Sequence, residues 1–130
     1  MTNYKEKDLF EWLNQNHYNT LVNSKNPISR WDCYDIETRN RIELKCRRTH
    51  YNTLLLEKSK YDALIKESKK HLDVPIYINS TPNGIYLFNL LEVELNWFIK
   101  SLPATTEFEK RMWVKKEVAE LKIEQAIKLK

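Results

Sequence analysis

The chain has 130 residues and a mass of 15.7 kDa, enough for one domain with one core and too few for two. Hydrophobic residues at 42% and charged residues at 31% exclude a disordered or fibrous chain, and 22 Lys+Arg against 18 Asp+Glu leave a net charge of +4, compatible with a polyanionic partner. A single glycine, Gly84, excludes the glycine-rich loops that cradle phosphates in Rossmann and P-loop proteins, so no nucleotide cofactor is expected.

Lys5 to Asn16 sets Leu9, Phe10 and Leu13 on one face, which predicts an amphipathic first helix. Tyr18 to Val22 reads as extended, and the Asn-Ser-Lys-Asn-Pro stretch at 23–27 as loop. A hairpin is expected next: Ser29 to Glu37, a turn near Thr38-Arg39-Asn40, then Arg41 to Arg48, where Ile42, Leu44 and Cys46 alternate with Glu43, Lys45 and Arg47. Asn52 to Leu72 carries apolar residues at spacings of three and four and predicts the longest helix, although its entry at Thr53–Leu56 also suits a strand.

Pro75 is expected to close that helix. Ile76–Ile78, a turn at Ser80–Gly84 and Ile85–Phe88 predict a second hairpin, with Gly84 supplying the positive φ. Leu90 to Leu102 predicts a short helix stopped by Pro103. Met112 to Lys130 stays open between a helix and a strand followed by a terminal helix at Ile123–Leu129. The element order predicts an α/β fold with a central mixed sheet flanked by helices. Cys33 and Cys46 are too few for a disulfide framework, and three scattered histidines give no zinc-ligand spacing. No apolar run approaches a membrane span and no signal-peptide core is present at the start, so a cytoplasmic location without a membrane partner is expected.

Chemistry concentrates between Trp31 and Arg48. Glu43 and Lys45, two apart on a strand, share a face, and an acid from the preceding arm, Asp32 or Asp35, would join them. Two carboxylates and water suit a hard cation, Mg²⁺ or Mn²⁺, which would polarise a phosphoryl oxygen while Lys45 orients the attacking water or steadies negative charge. An alternating Glu-x-Lys is by itself usually a solvated face. A turn centred on Arg39 would place Asp35 across from Glu43; Asp32 would need a turn at Glu37-Thr38 or a bulge. Arg47, Arg48 and His50 are candidate nucleic-acid contacts, since arginine forks match phosphate oxygens.

Asp, a hairpin turn and Glu-x-Lys, after a helix and a strand and before a helix, resemble the PD-(D/E)xK nuclease superfamily. Ile42–Tyr51 followed by Leu55–Tyr61 is similar to small phage-encoded nucleases of that superfamily. The resemblance implies a restriction-endonuclease-like core and maps the catalytic residues onto Asp32 or Asp35, Glu43 and Lys45, with metal held by Asp32 and Glu43. The aromatic-Asp-x-aromatic run Trp31-Asp32-Cys33-Tyr34 resembles the family context and favours Asp32, although the Pro that often precedes the acid is absent. Glu57 and Tyr61 resemble a Gln-x-x-x-Tyr pair on the following helix, and Lys60 falls within the same stretch, so these three are supporting residues. The resemblance thus implies a Mg²⁺- or Mn²⁺-dependent nuclease cutting nucleic acid, with DNA the expected substrate, and working as a homodimer; 130 residues leave no room for a separate recognition domain, so cutting directed by structure or ends rather than sequence is expected. The alternative is an inactive nucleic-acid- or partner-binding module on the same fold.

Overall fold

The computed structural model describes residues 4–24, 31–103 and 113–130. In chain order these form α1 (Glu6–Asn16), β1 (Leu21–Asn23), β2 (Cys33–Asp35), β3 (Asn40–Cys46), β4 (Thr53–Glu57), α2 (Lys58–His71), β5 (Val74–Thr81), β6 (Gly84–Asn89), β7 (Trp97–Pro103), β8 (Trp113–Lys122), a 3₁₀ turn (Ile123–Gln125) and β9 (Ile127–Lys128). Six strands make one mixed sheet in the order β1-β2-β3-β5-β6-β9, and β4-β8-β7 make a second, antiparallel one. Among the described strands of the large sheet only β3 and β5 run parallel, joined by the crossover through β4 and α2. The expected α/β architecture with a central mixed sheet is the one observed.

The period-two pattern of β3 sorts its side chains between the two faces of the sheet. Ile42 and Leu44 pack with Leu9 and Leu13 of α1 and with Ile76, Ile78, Ile85 and Leu87. Tyr77, Tyr86 and Phe88 belong to a second cluster with Leu54, Leu56, Leu64 and Leu121. The two clusters use alternate residues of β5 and β6, so the large sheet is covered on both faces. Continuous burial along Ile76–Thr81 and Ile85–Phe88 is the mark of strands covered on two sides.

Several local expectations change. The helix expected from Asn52 begins at Lys58, because Leu54 and Leu56 alternate into the core as β4 pairs with the distant β8. It ends at Leu72, in the left-handed conformation with φ 57, before Pro75 is reached; Pro75 lies inside β5. The helix expected over Leu90–Leu102 is a turn and then β7, whose Trp97-Phe98-Ile99 run pairs with β8. Aromatic and β-branched residues follow their strand partner once one is supplied. The open tail resolves as β8, and the terminal helix expected at Ile123–Leu129 is a 3₁₀ turn plus β9, which pairs with the edge of β6. The first arm of the early hairpin is confined to Cys33–Asp35 among the described residues; the part expected at 29–30 lies outside them. In the second hairpin, Gly84 has φ 153, and a Cβ there would stand 2.2 Å from the Lys130 carbonyl oxygen.

Candidate active site

The hairpin register decides which acid accompanies Glu43. Its turn occupies the four residues 36–39, with Arg39 at φ 58, rather than centring on Arg39. Cys33 therefore faces Ile42, Tyr34 faces Arg41 and Asp35 faces Asn40. One residue further on, Asp32 stands level with Glu43: the Asp32 N–H donates to the Ile42 carbonyl at 2.9 Å, and the Leu44 N–H donates to Asp32 Oδ2 at 2.7 Å. The geometric case for Asp35 fails with the turn it assumed.

Asp35 has other work. Its carboxylate, 1% exposed, accepts hydrogen bonds from the N–H and hydroxyl of Thr20, at 3.2 and 2.9 Å, and from those of Thr38, at 2.9 and 2.7 Å. Burial pushes its pKa upward, but these bonds, led by those of Thr38, outweigh it and hold the group below the ordinary aspartate value. Asp35 thus ties the β1 entry to the hairpin turn.

Glu43 has the opposite environment. Its side chain is only 13% exposed, and its pKa is pushed up to about 8, first by burial, then by the Asp32 charge and a hydrogen bond shared with Asp32. Lys60 Nζ, 3.7 Å from Glu43 Oε2, opposes the shift without cancelling it. A third carboxylate reaches this point from the first turn of α1: the Glu6 pKa is also raised, by burial and then by Asp32. Glu6 is absent from the residues expected on sequence alone. The available signal was its position three and seven residues before Leu9 and Leu13, an acid in line with the buried stripe of its helix.

Lys45 shares the Glu43 face. Its pKa is lowered by partial burial and then by the positive charges of Arg47 and Lys60, against the pull of Glu57 and Glu43. Glu57, the N-cap of α2, pairs with Lys116 at 2.9 Å. Tyr61 packs its ring on Trp97, with centroids 5.1 Å apart, and joins the edge of the second core.

The three candidate phosphate contacts separate. Arg47 turns inward: Nε donates to Asn79 Oδ1 at 2.6 Å, and Nη2 donates to the Leu55 carbonyl at 2.6 Å and to the Tyr77 hydroxyl at 3.1 Å. It bolts β4 to the large sheet. Arg48 is exposed. His50 is half-buried, with Nδ1 2.9 Å from Thr81 Oγ1 and its ring against Tyr86.

Among the described residues no group of three or more His, Cys, Asp or Glu side chains is arranged to hold a metal ion. The donor set nonetheless fits a hard cation. Mg²⁺ keeps several waters and needs only one or two protein carboxylates, and Asp32 and Glu43 stand within hydrogen-bonding contact of each other.

No family model and no curated protein matches the chain. Among solved structures it is similar to Hjc, a Holliday junction resolvase from the archaeal hyperthermophile Archaeoglobus fulgidus, with TM-score 0.64 and 15% identity over 95% of this chain and 96% of that one. The fold is restriction-endonuclease-like. Within it, strand β3 lies central in the sheet, and the Asp32–Glu43 pair sits where the short β2 gives way to it. No helix among the described residues is long and apolar enough to cross a membrane.

Proposed function

We propose that this chain is a metal-dependent nuclease that hydrolyses phosphodiester bonds in branched DNA. One observation carries the reading: the β2–β3 register puts Asp32 and Glu43 in mutual contact with Lys45 two residues along the same face. A pure binding surface gains nothing from acids gathered where phosphate must approach. Similarity to a protein described as a Holliday junction resolvase supports branched DNA as the substrate, and the resemblance to small nucleases supports a homodimer.

Asp32 and Glu43 would hold Mg²⁺ or Mn²⁺, with Glu6 adding a third carboxylate beside Asp32. The cation supplies Lewis acidity toward a phosphoryl oxygen and a more acidic water. The Leu44 N–H fixes the Asp32 carboxylate through Oδ2, so the group keeps one direction toward Glu43. Lys45 orients the attacking water and steadies negative charge gathering on the phosphate. Lys60 offsets the charge of Glu43, and Arg48, exposed two residues beyond Cys46, would take a flanking phosphate.

The test uses end-labelled four-way junction, fork and linear duplex DNA with the purified chain in Mg²⁺, Mn²⁺ or EDTA. Cleavage of branched substrates is expected with either cation and not with EDTA. Lys45→Ala and Glu43→Ala are expected to lose on the order of 10²–10³ in rate while still binding DNA. Absence of cleavage in every cation, or a Lys45→Ala rate equal to the parent's, refutes the nuclease reading; DNA binding without cleavage would select the inactive binding module.

A further inference from the structure

The outer half of the small sheet has no second layer. β8 pairs with β4 from Val118 to Lys122, and its Trp113–Glu117 half pairs with β7 alone, so a two-stranded ribbon runs on past Glu57, where β4 ends and α2 begins. A cleft of about 420 Å³, lined by Lys58, Asp62, Lys116 and Glu117, keeps the ribbon off the first turn of α2. From Val118 to Trp113 the ribbon extends about 17 Å, at roughly 3.4 Å per residue.

The strand register sorts the side chains of this ribbon. Leu54, Leu56 and Leu121 carry one face of the small sheet into the second core. The opposite face runs in rows: Glu57, Val118 and Phe98, then Lys116 opposite Lys100, then Val114 opposite Leu102. Two lysines directly opposite each other repel. Glu57 relieves one of them, at 2.9 Å from Lys116, whereas exposed Lys100 forms no ion pair among the described residues. The charge of Glu57 also reaches Lys45. The face is therefore continuous with the candidate active site through Lys45, Glu57, Lys116 and Lys100, and its outer end is cationic. A like-charged pair that costs stability in water becomes favourable once an anion lies against it.

We propose that this face is a second DNA contact, with Lys100 and Lys116 gripping the backbone of the duplex arm that leads away from the carboxylates. The proposal rests on the nuclease reading and adds where an arm of the substrate lies: about 17 Å of ribbon covers about five base pairs at roughly 3.4 Å each. Paired DNA is the form that fits. Phe98 is the one aromatic side chain of this face among the described residues, and it lies across from Val118, so successive unpaired bases have no run of rings to stack on. Lysines hold phosphates and carry no sequence preference.

Fluorescence anisotropy in EDTA, where nothing is cut, tests the contact with labelled four-way junction and single-stranded DNA. The parent is expected to bind the junction. Lys100→Glu should weaken that binding at least about tenfold, and Lys100→Ala should lower the slope of log affinity against log salt by about 0.9, the value of one phosphate contact. Lys70→Glu makes the same charge change at the far end of α2, about 20 Å from its start, and should leave affinity within about twofold. Lys100→Glu replaces a like-charged cross-strand pair by an opposite one, so its Tm should not fall. A parent that binds no junction overturns the proposal, as does Lys100→Glu binding like the parent, an equal loss from Lys70→Glu, or a loss larger for single strands than for the junction. The nuclease reading fails separately: a chain that cuts nothing in Mg²⁺ yet loses junction binding with Lys100→Glu keeps the contact and gives up the chemistry.

Discussion

The same chemical change at two aspartates three residues apart should have opposite consequences. Asp35→Asn replaces one acceptor oxygen by a donating amide in a pocket that presents four donors, from Thr20 and Thr38. Two bonds to a charged acceptor are lost, each worth about 1.5–3 kcal/mol. A threonine hydroxyl can turn to accept from the new amide, but the facing backbone N–H cannot, so the net cost is about 2–4 kcal/mol. For a chain of this size that lowers Tm by roughly 8–15 °C. Asp32→Asn keeps an oxygen for the Leu44 N–H and removes a negative charge from beside Glu43 and Glu6, so the metal-free protein should lose nothing and gain up to about 1 kcal/mol. Calorimetry of parent and both variants in EDTA measures these changes, and the same scans in Mn²⁺ measure binding, since a ligand of the folded state raises Tm. The parent and Asp35→Asn should keep the Mn²⁺ shift and Asp32→Asn should lose it. Equal destabilisation by the two variants in EDTA would refute the contrast between their surroundings, and a Mn²⁺ shift abolished by Asp35→Asn but kept by Asp32→Asn would show that Asp35 rather than Asp32 serves the metal.

Glu43 gives the fold a pH dependence of its own. It holds its proton up to about pH 8 when folded and releases it near 4.5 when unfolded, so the folded state binds the extra proton between those values. The contribution of Glu43 to the stability of the metal-free protein should therefore be fullest below pH 4.5 and be lost as pH rises toward 8, a slope that thermal scans in EDTA of the parent against Glu43→Gln will isolate. A cation competes with that proton, so the Mn²⁺-induced rise in Tm should be larger at about pH 8 than at about pH 5.5. Arg47→Ala strands Asn79 Oδ1 and leaves the Leu55 carbonyl with the Tyr77 hydroxyl alone, and should cost about 2–4 kcal/mol in urea unfolding, whereas Arg48→Ala should leave unfolding unchanged and weaken DNA binding. Gly84→Ala meets both the positive φ and the Lys130 carbonyl and should cost more than about 1 kcal/mol by the same assay.

Local signals and long-range pairings account for what could be read in advance. Alternation along Arg41–Cys46 was enough to set Glu43 and Lys45 on one face, and the Leu9–Leu13 spacing was enough to make α1, because period-two and period-3.6 patterns are properties of single elements. The run from Thr53 to Glu57 could not be separated from the helix behind it, since its strand character comes from β8, far along the chain. The same dependence turned the helix expected near Trp97 into β7. Arg47 read as a surface cation because its partners, Leu55, Tyr77 and Asn79, lie on other strands.

Composition and pattern by themselves determined that this chain lacks a glycine phosphate cradle, that its elements make an α/β fold, and that an acid, a glutamate and a lysine gather on a hairpin. The tertiary structure decided which acid stands beside Glu43, that Glu6 joins them, and that Arg47 faces inward. The reason is one of range: side-chain alternation is written into a single strand, but a hairpin's register depends on how many residues its turn holds. Here a four-residue turn at 36–39, braced by Asp35 through Thr20 and Thr38, shifts the pairing and places Asp32 level with Glu43.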